Sequence, residues 1–225
     1  MREERKRPAA NNDMKFNDLL VNSKIDPREV MVFRHRPREP ELNRVFPWLA
    51  AERPAVFNAY QQTHGARVER ALKKASYVAS FVGHVPGKAL FVGLYSVGAS
   101  KPLTRAAYWR VPAYKEMKAF GMEGFGDDEA RSSVLWFDLR LTDFYSAWKG
   151  TLVLEWTGSE RSWWRWAQRN DFNVSAMLED SALDAAMKRW DRFSGIVHRL
   201  AVSEGVAIQL GAFRHPQAAS ATFPR

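Results

Sequence analysis

Strand-like segments in the middle of the chain constrain its fold most. Residues 77–82 and 89–97 are apolar runs on either side of the turn sequence Val-Pro-Gly-Lys at 85–88, and this arrangement predicts a β-hairpin. Residues 134–142 alternate between apolar and polar side chains, as a strand with one buried face does. Residues 151–156 are a further strand-like run. Because helical patterns precede these segments, we predict an α+β fold in which helices pack on a small, mostly antiparallel β-barrel.

Local signals refine this expectation. Phe16 opens a helical segment, and Asp26 followed by Pro27 predicts a second helix start. Gly93, inside the second hairpin strand, predicts a bulge or a close backbone approach. We expect the tryptophan-rich segment around residues 161–166 to form a loop or a single helical turn, and residues 172–178 to form a closing strand.

Composition limits the class of protein. The chain has 225 residues, of which 46% are hydrophobic and 26% charged, as in an ordinary soluble domain. It has no cysteine, and no apolar run is long enough to span a membrane or act as a secretory signal, so we expect a cytoplasmic protein that does not contact membranes. The formal net charge of +9 favours a polyanionic partner, above all nucleic acid.

The sequence divides into three parts. Residues 1–13 are polar and lack an apolar period, so we expect a disordered tail. Residues 14–192 carry the helix and strand patterns and are interpreted as a single α+β nucleic-acid-binding module. Residues 193–225 are rich in alanine, serine and proline, and we expect an atypical tail produced by a truncation or a frame shift.

The tryptophan-rich segment is the strongest functional signal. Between residues 161 and 169 the chain carries three indoles and three guanidinium groups. Arginine pairs with phosphates and stacks on aromatic faces, while indoles stack on nucleobases. The competing interpretation is that these tryptophans cap the barrel core while the arginines are solvated. We predict nucleic-acid contacts in which the cations pair with phosphates, the indoles stack on bases and one amide reads a base edge. The predicted contact residues are Lys149, Arg161, Trp163, Trp164, Arg165, Arg169 and Asn173.

Further aromatic residues predict a slot for a flipped base. On a small barrel, rings near one mouth accept a base, and a carboxylate or amide then reads its edge. The candidates are Tyr95, Trp148 and Asp171. The alternative is that most rings fill the barrel, and Trp136 and Trp156 are the ones we expect to be merely packed.

Catalytic patterns are scarce. The histidines have no metal-ligand spacing and the glycines form no phosphate-binding loop, so we predict neither a metal site nor a cofactor. Asp138 and Glu155 lie on strand-like segments and are the only visible nucleus for metal-dependent cleavage. We favour the interpretation that they are salt-bridged on a solvated face, to Arg140 or Lys149.

Several collinear stretches resemble a known family. They include Arg34-His-Arg-Pro, Phe46-Pro-Trp-Leu-Ala-Ala-Glu-Arg-Pro, Gly87-Lys-Ala-Leu-Phe-Val-Gly-Leu-Tyr and Arg161-Ser-Trp-Trp-Arg-Trp-Ala. From about Met14 to Met187 the chain resembles the N-terminal region of bacterial GIY-YIG nuclease family proteins. The hairpin and the tryptophan-rich closure also resemble PUA-like barrels, including EVE-type domains that read modified bases, by pattern and analogy.

The resemblance implies a module that precedes a nuclease domain. Here only Gly195-Ile-Val stands where that domain would begin, so no catalytic residue is carried over and we do not expect the chain itself to be catalytic. We therefore predict a DNA-binding specificity module of a restriction-type GIY-YIG endonuclease, which binds double-stranded DNA and reads a modified or flipped base. The alternatives are a stand-alone metal-dependent nuclease and a non-catalytic protein-interaction remnant; the oligomeric state stays open.

Overall fold

The computed structural model describes residues 14–35, 53–62, 65–83, 87–114, 133–150, 152–156, 163–170 and 172–176, without the side chains of residues 147 and 176. The predicted tails at 1–13 and 193–225 lie outside these ranges. Arg161 and Asp171, predicted for the phosphate contacts and the base slot, also lie outside the described residues.

Helices precede and flank a sheet along the described chain. The helices are α1 (Phe16–Asn22), α2 (Pro54–Gln61), α3 (Ala66–Leu72) and α4 (Arg105–Trp109). The strands are β1 (Val30–His35), β2 (Tyr77–Gly83), β3 (Lys88–Thr104), β4 (Ser133–Leu141), β5 (Leu152–Glu155), β6 (Trp164–Trp166) and β7 (Val174–Ala176). Short 3-10 turns lie at Pro27–Glu29, Ser146–Trp148 and Ala167–Arg169.

The described strands form one seven-stranded mixed sheet in the order β6-β1-β2-β3-β5-β7, with β4 paired to the distal half of β3. Strands β1 and β2 are parallel, and the helices α2 and α3 lie between them in the chain. The other strand pairs are antiparallel, including the predicted β2–β3 hairpin. The α+β prediction is therefore confirmed, and the sheet curls into a half-barrel.

A bulge in β3 allows one strand to serve both faces of the sheet. Ser80 pairs with Gly93 but the next residue, Phe81, pairs with Phe91, so β3 contains one extra residue at the predicted position. The alternation of β3 side chains shifts there: Phe91 and Leu94 pack on the same face although they are an odd number of positions, three, apart.

Each face of the sheet carries its own core. The first core lies under α2 and α3 and includes Phe33, Phe57 and Tyr95. The second core lies on the opposite face with α1, and it includes Phe16, Phe91 and Trp148. Alternating β1 side chains contribute to both, which explains why the whole strand is buried.

The second core also joins the two ends of the strand order. Trp156, just after β5, stacks on Phe172 with ring centroids 5.3 Å apart. The guanidinium carbon of Arg165, on β6, lies 4.7 Å from the centroid of the Trp156 ring, and that of Arg34, on β1, lies at 5.3 Å. The arginines of β1 and β6 therefore reach the segment after β5 across the second core. Trp156 is packed, as the sequence predicts.

Side chains from α2 and α3 pair with the outer edge of β4. Gln62 accepts a hydrogen bond from the Phe137 backbone N–H and donates one to its carbonyl, both at 2.9 Å. Asn58 donates to the carbonyl of Leu139, and Glu69 accepts from the N–H of Leu135. These polar groups take the place of a neighbouring strand, so the edge is not left open to pair with another chain.

Candidate nucleic-acid interface

Strand β6 is an edge of the sheet and carries Trp164, a predicted contact residue, together with Trp166. Trp164 pairs with Phe33 and Trp166 with Met31, so both indoles face the first core. The expectation of a loop or a helical turn was wrong here, because Trp-Arg-Trp alternates as a strand and β1 offers an apolar partner. Both indoles are half-buried, with one part against the core and the rest accessible to solvent.

Trp163 lies immediately before β6. Its carbonyl accepts a hydrogen bond from the Arg34 N–H at 2.7 Å, and its ring centroid lies 5.1 Å from that of Phe33. Trp163 is half-buried as well. Trp163 and Trp164 therefore each have one side anchored against the core and one side accessible to solvent. Neither a fully buried residue nor a fully exposed one combines these two properties.

One arginine lies over one of these rings, and two further arginines lie on β6 or just after it. The guanidinium carbon of Arg67, on α3, lies 5.6 Å from the centroid of Trp164. Arg165 extends to the opposite face, where it contacts Trp156 and donates a hydrogen bond to Asn170. Arg169, in the turn after β6, is exposed. We call Trp163, Trp164, Arg67 and Arg169 the indole edge. Arg67 was missed in the sequence because its nearness to Trp164 depends on how α3 packs.

Two predicted contact residues lie elsewhere. Lys149 is half-buried, with its chain near Gly93 on β3, and strands β1 and β2 separate β3 from β6 in the sheet. Burial lowers the pKa of Lys149, and the charge of Asp143 opposes this effect. Asn173 accepts a hydrogen bond from Lys15 at 2.5 Å and donates one to Glu155 at 3.0 Å. Its amide is committed to this polar chain.

The predicted base slot is not formed by Tyr95 and Trp148 together. Tyr95 belongs to the core under α2 and α3, whereas Trp148 belongs to the core on the opposite face. The two side chains share the barrel but not a face, since the bulge in β3 and the turn before β5 direct them apart.

A buried polar group near Trp163 was missed in the sequence. We call His35, Gln61, Ser80 and Tyr95 the His35 cluster. Gln61 accepts a hydrogen bond from the hydroxyl of Ser80. The imidazole of His35 packs against Phe33, Phe57 and Tyr60, with ring centroids 5.1–6.0 Å away. Tyr95 joins the cluster through Phe57, whose ring centroid lies 6.0 Å from that of Tyr95. The four residues come from β1, α2, β2 and β3, so no local motif predicts the cluster.

Burial sets the chemistry of the His35 cluster. Desolvation lowers the pKa of His35 to about 3, although the neighbouring Gln61 side chain opposes this, so the imidazole is neutral at physiological pH. Desolvation also raises the pKa of Tyr95, which keeps its phenol protonated. His35 Nε2, Gln61 Nε2 and the Tyr95 hydroxyl are buried without a hydrogen-bond partner. Such groups are rare in folded proteins.

The acidic candidates are engaged in contacts on the described surface. Asp138 forms an ion pair with Arg140 at 2.6 Å, and both side chains are largely exposed. Glu155 accepts the hydrogen bond from Asn173. Within the described ranges, no group of three or more histidine, cysteine or acidic side chains is placed to hold a metal ion. The Asp138–Arg140 pair agrees with the interpretation of a solvated, salt-bridged face.

In comparisons with known proteins, no family model, no curated protein and no solved structure matches the chain. Among the described helices, none has the length and apolar character required to cross a lipid bilayer.

Proposed function

We propose that this chain is a DNA-binding specificity module, which holds double-stranded DNA along the indole edge. The observation that carries the proposal is that Trp163 and Trp164 each have a solvent-accessible part, and that the Arg67 guanidinium lies over the Trp164 ring. Indole faces stack on bases without regard to sequence, and guanidinium groups pair with phosphates. The formal net charge of +9 adds long-range attraction for a polyanion.

The module reads a flipped or modified base, and the His35 cluster is its reading group. Phe33 links Trp163 to His35, with ring centroids 5.1 and 6.0 Å from Phe33 respectively. A neutral imidazole, an amide and a phenol offer donors and acceptors to a base edge, and the surrounding rings offer stacking. Because these groups are buried, a base enters only when Trp163 or α2 moves aside.

The module belongs with a GIY-YIG type endonuclease of the restriction class, on a PUA-like barrel, and works in the cytoplasm. Support for this association comes from the sequence resemblance between about Met14 and Met187. The half-barrel with helices α2 and α3 between two parallel strands is compatible with such an architecture. In this proposal the nuclease activity belongs to the nuclease domain that follows such a module in the family that the sequence resembles.

Replacement of Trp163 by alanine tests the proposal. We expect the affinity for a fluorescent DNA duplex, measured by anisotropy, to fall about tenfold or more, as the loss of one base-stacking ring predicts. The free energy of unfolding should fall by less than the free energy of DNA binding does, because part of the indole is already exposed to water in the folded protein.

Trp136→Ala is the matched control. Trp136, on β4, is also a half-buried indole, but it packs beside Tyr108 of α4. The control replacement should leave DNA affinity unchanged. Equal losses of affinity in both variants, or a loss of stability without loss of affinity in Trp163→Ala, would assign Trp163 to the core.

A further inference from the structure

A second candidate site lies at the end of α1, away from the indole edge. An open cavity of about 520 Å³ lies between the turn after α1 and the segment that follows β4. Its lining includes Lys24, Tyr77, Asp143 and Tyr145. The volume falls within the range of small-ligand sites, about 300–1,000 Å³.

The backbone of this cavity is strained on both sides. Lys24 and Tyr145 have φ values of 60° and 42°, and they are the non-glycine residues with positive φ in the described part of the chain. Lys24 occupies the left-handed position of a Schellman motif, in which Ile25 N–H donates to the Leu20 carbonyl and Lys24 N–H to the Val21 carbonyl. Glycine is the usual residue there, so a lysine costs stability.

Most polar groups of the cavity make no side-chain contact within the described ranges. The Lys24 ammonium and the hydroxyls of Tyr77 and Tyr145 have no side-chain hydrogen bond or ion pair there, and the Asp143 carboxylate is exposed and close enough to Lys149 for their charges to interact. The Tyr145 ring is held against Phe144 and Trp148, with centroids 4.7 and 6.2 Å away. A cation, an anion and two phenol rings therefore face one open space on a fixed frame. Strained residues that line the same cavity are typical of ligand sites.

We propose that this cavity binds a nucleotide whose base carries an amino group. Lys24 pairs with the phosphate, the tyrosines contact the planar base, and Asp143 accepts a hydrogen bond from the exocyclic amine. The net charge of +9 favours an anionic ligand over a zwitterion such as an amino acid. Cytosine presents the amine that a carboxylate accepts best, and thymine lacks it.

The site does not depend on the indole edge, so calorimetric titration of the full chain tests it separately. We expect deoxycytidine monophosphate to bind about tenfold more tightly than thymidine monophosphate. A short single strand of cytosines distinguishes the source of the ligand. If the strand binds more tightly than the free nucleotide, the site accepts one unit of a strand. If the two bind equally, the site is assigned to the free nucleotide.

Two variants remove the charged groups. Lys24→Gly deletes the ammonium while it relieves the positive φ, so a loss of nucleotide affinity in this variant cannot arise from unfolding. Asp143→Asn should abolish the preference for cytosine over thymine. The controls are Trp163→Ala and Lys73→Ala, which should bind the nucleotide as the wild type does, even if Trp163→Ala no longer binds duplex DNA.

Three results would overturn the proposal. They are no heat of binding for either nucleotide at millimolar concentration, equal affinity for cytosine and thymine nucleotides, and unchanged affinity in both charge variants. Tighter binding of free tyrosine or phenylalanine than of the nucleotide would assign the cavity to a zwitterion instead.

Discussion

His35 illustrates how the fold determines the chemistry of a single residue. In the sequence it is one of five histidines with no metal-ligand spacing, and nothing nearby distinguishes it. In the structure its imidazole is buried among Phe33, Phe57 and Tyr60 and stays neutral because the protonated form would lose its hydration. Position in the core, rather than a local motif, makes this residue unusual.

This burial predicts a specific pH dependence of stability. The unfolded chain protonates His35 near its ordinary pKa of 6.5, whereas the folded protein does so only near 3. The unfolded state therefore binds more protons between these values, and this contribution to stability is lost as the pH falls from about 6.5 towards 3, at up to about 1.4 kcal/mol per pH unit. Urea unfolding of the wild type and His35→Gln between pH 7 and pH 4 measures it.

The stability difference between wild type and His35→Gln should shrink as the pH falls, because the glutamine variant has no buried imidazole to protonate. Ser80→Ala, in the same His35 cluster, should keep the pH dependence of the wild type. Parallel stability curves for wild type and His35→Gln would show that folding does not lower the pKa of His35.

At the scale of elements, regular patterns were predictable and tertiary pairings were not. The helix at Phe16, the hairpin of β2 and β3 and the bulge at Gly93 follow from local signals, and the structure confirms them. Strand β6 was not recognised, because three residues are too few for a strand signal and its partner β1 is more than 100 positions away. The parallel pairing of β1 with β2 depends on the packing of α2 and α3.

The hydrogen bonds between Gln62, just after α2, and β4 should contribute to the free energy of unfolding, and this contribution can be measured. Gln62 is fully buried and satisfies both backbone groups of Phe137. Gln62→Leu keeps most of the volume but leaves that N–H and carbonyl buried without partners, so we expect a loss of about 2–4 kcal/mol in the free energy of unfolding. Urea denaturation measures it.

Gln168→Leu is the matched control, since Gln168 is exposed in the turn after β6. Its free energy of unfolding should change by less than about 0.5 kcal/mol. A loss in Gln62→Leu no larger than that of the control would mean that the outer edge of β4 is solvated rather than capped by α2.

For the whole molecule, charge and shape act together. The positive net charge was readable from composition, and the tryptophan-rich segment lies at an edge of the sheet, where Trp164 pairs with β1. The curl that brings Trp156 onto Arg165, and the packing that brings Arg67 to Trp164, arise only when distant strands and helices meet. Lys149 and Asn173 lie elsewhere for the same reason.

The salt dependence of DNA binding tests the central claim most directly. Duplex affinity of the wild type, measured by anisotropy between about 50 and 200 mM salt, should fall with a log–log slope of about −2 to −3, as two or three phosphate contacts predict. Arg169→Ala should reduce the size of that slope by about 0.9. Arg110→Ala, which removes an exposed arginine at the end of α4, should leave it unchanged. An affinity that does not vary with salt, or identical slopes in all three proteins, would contradict DNA binding at the indole edge.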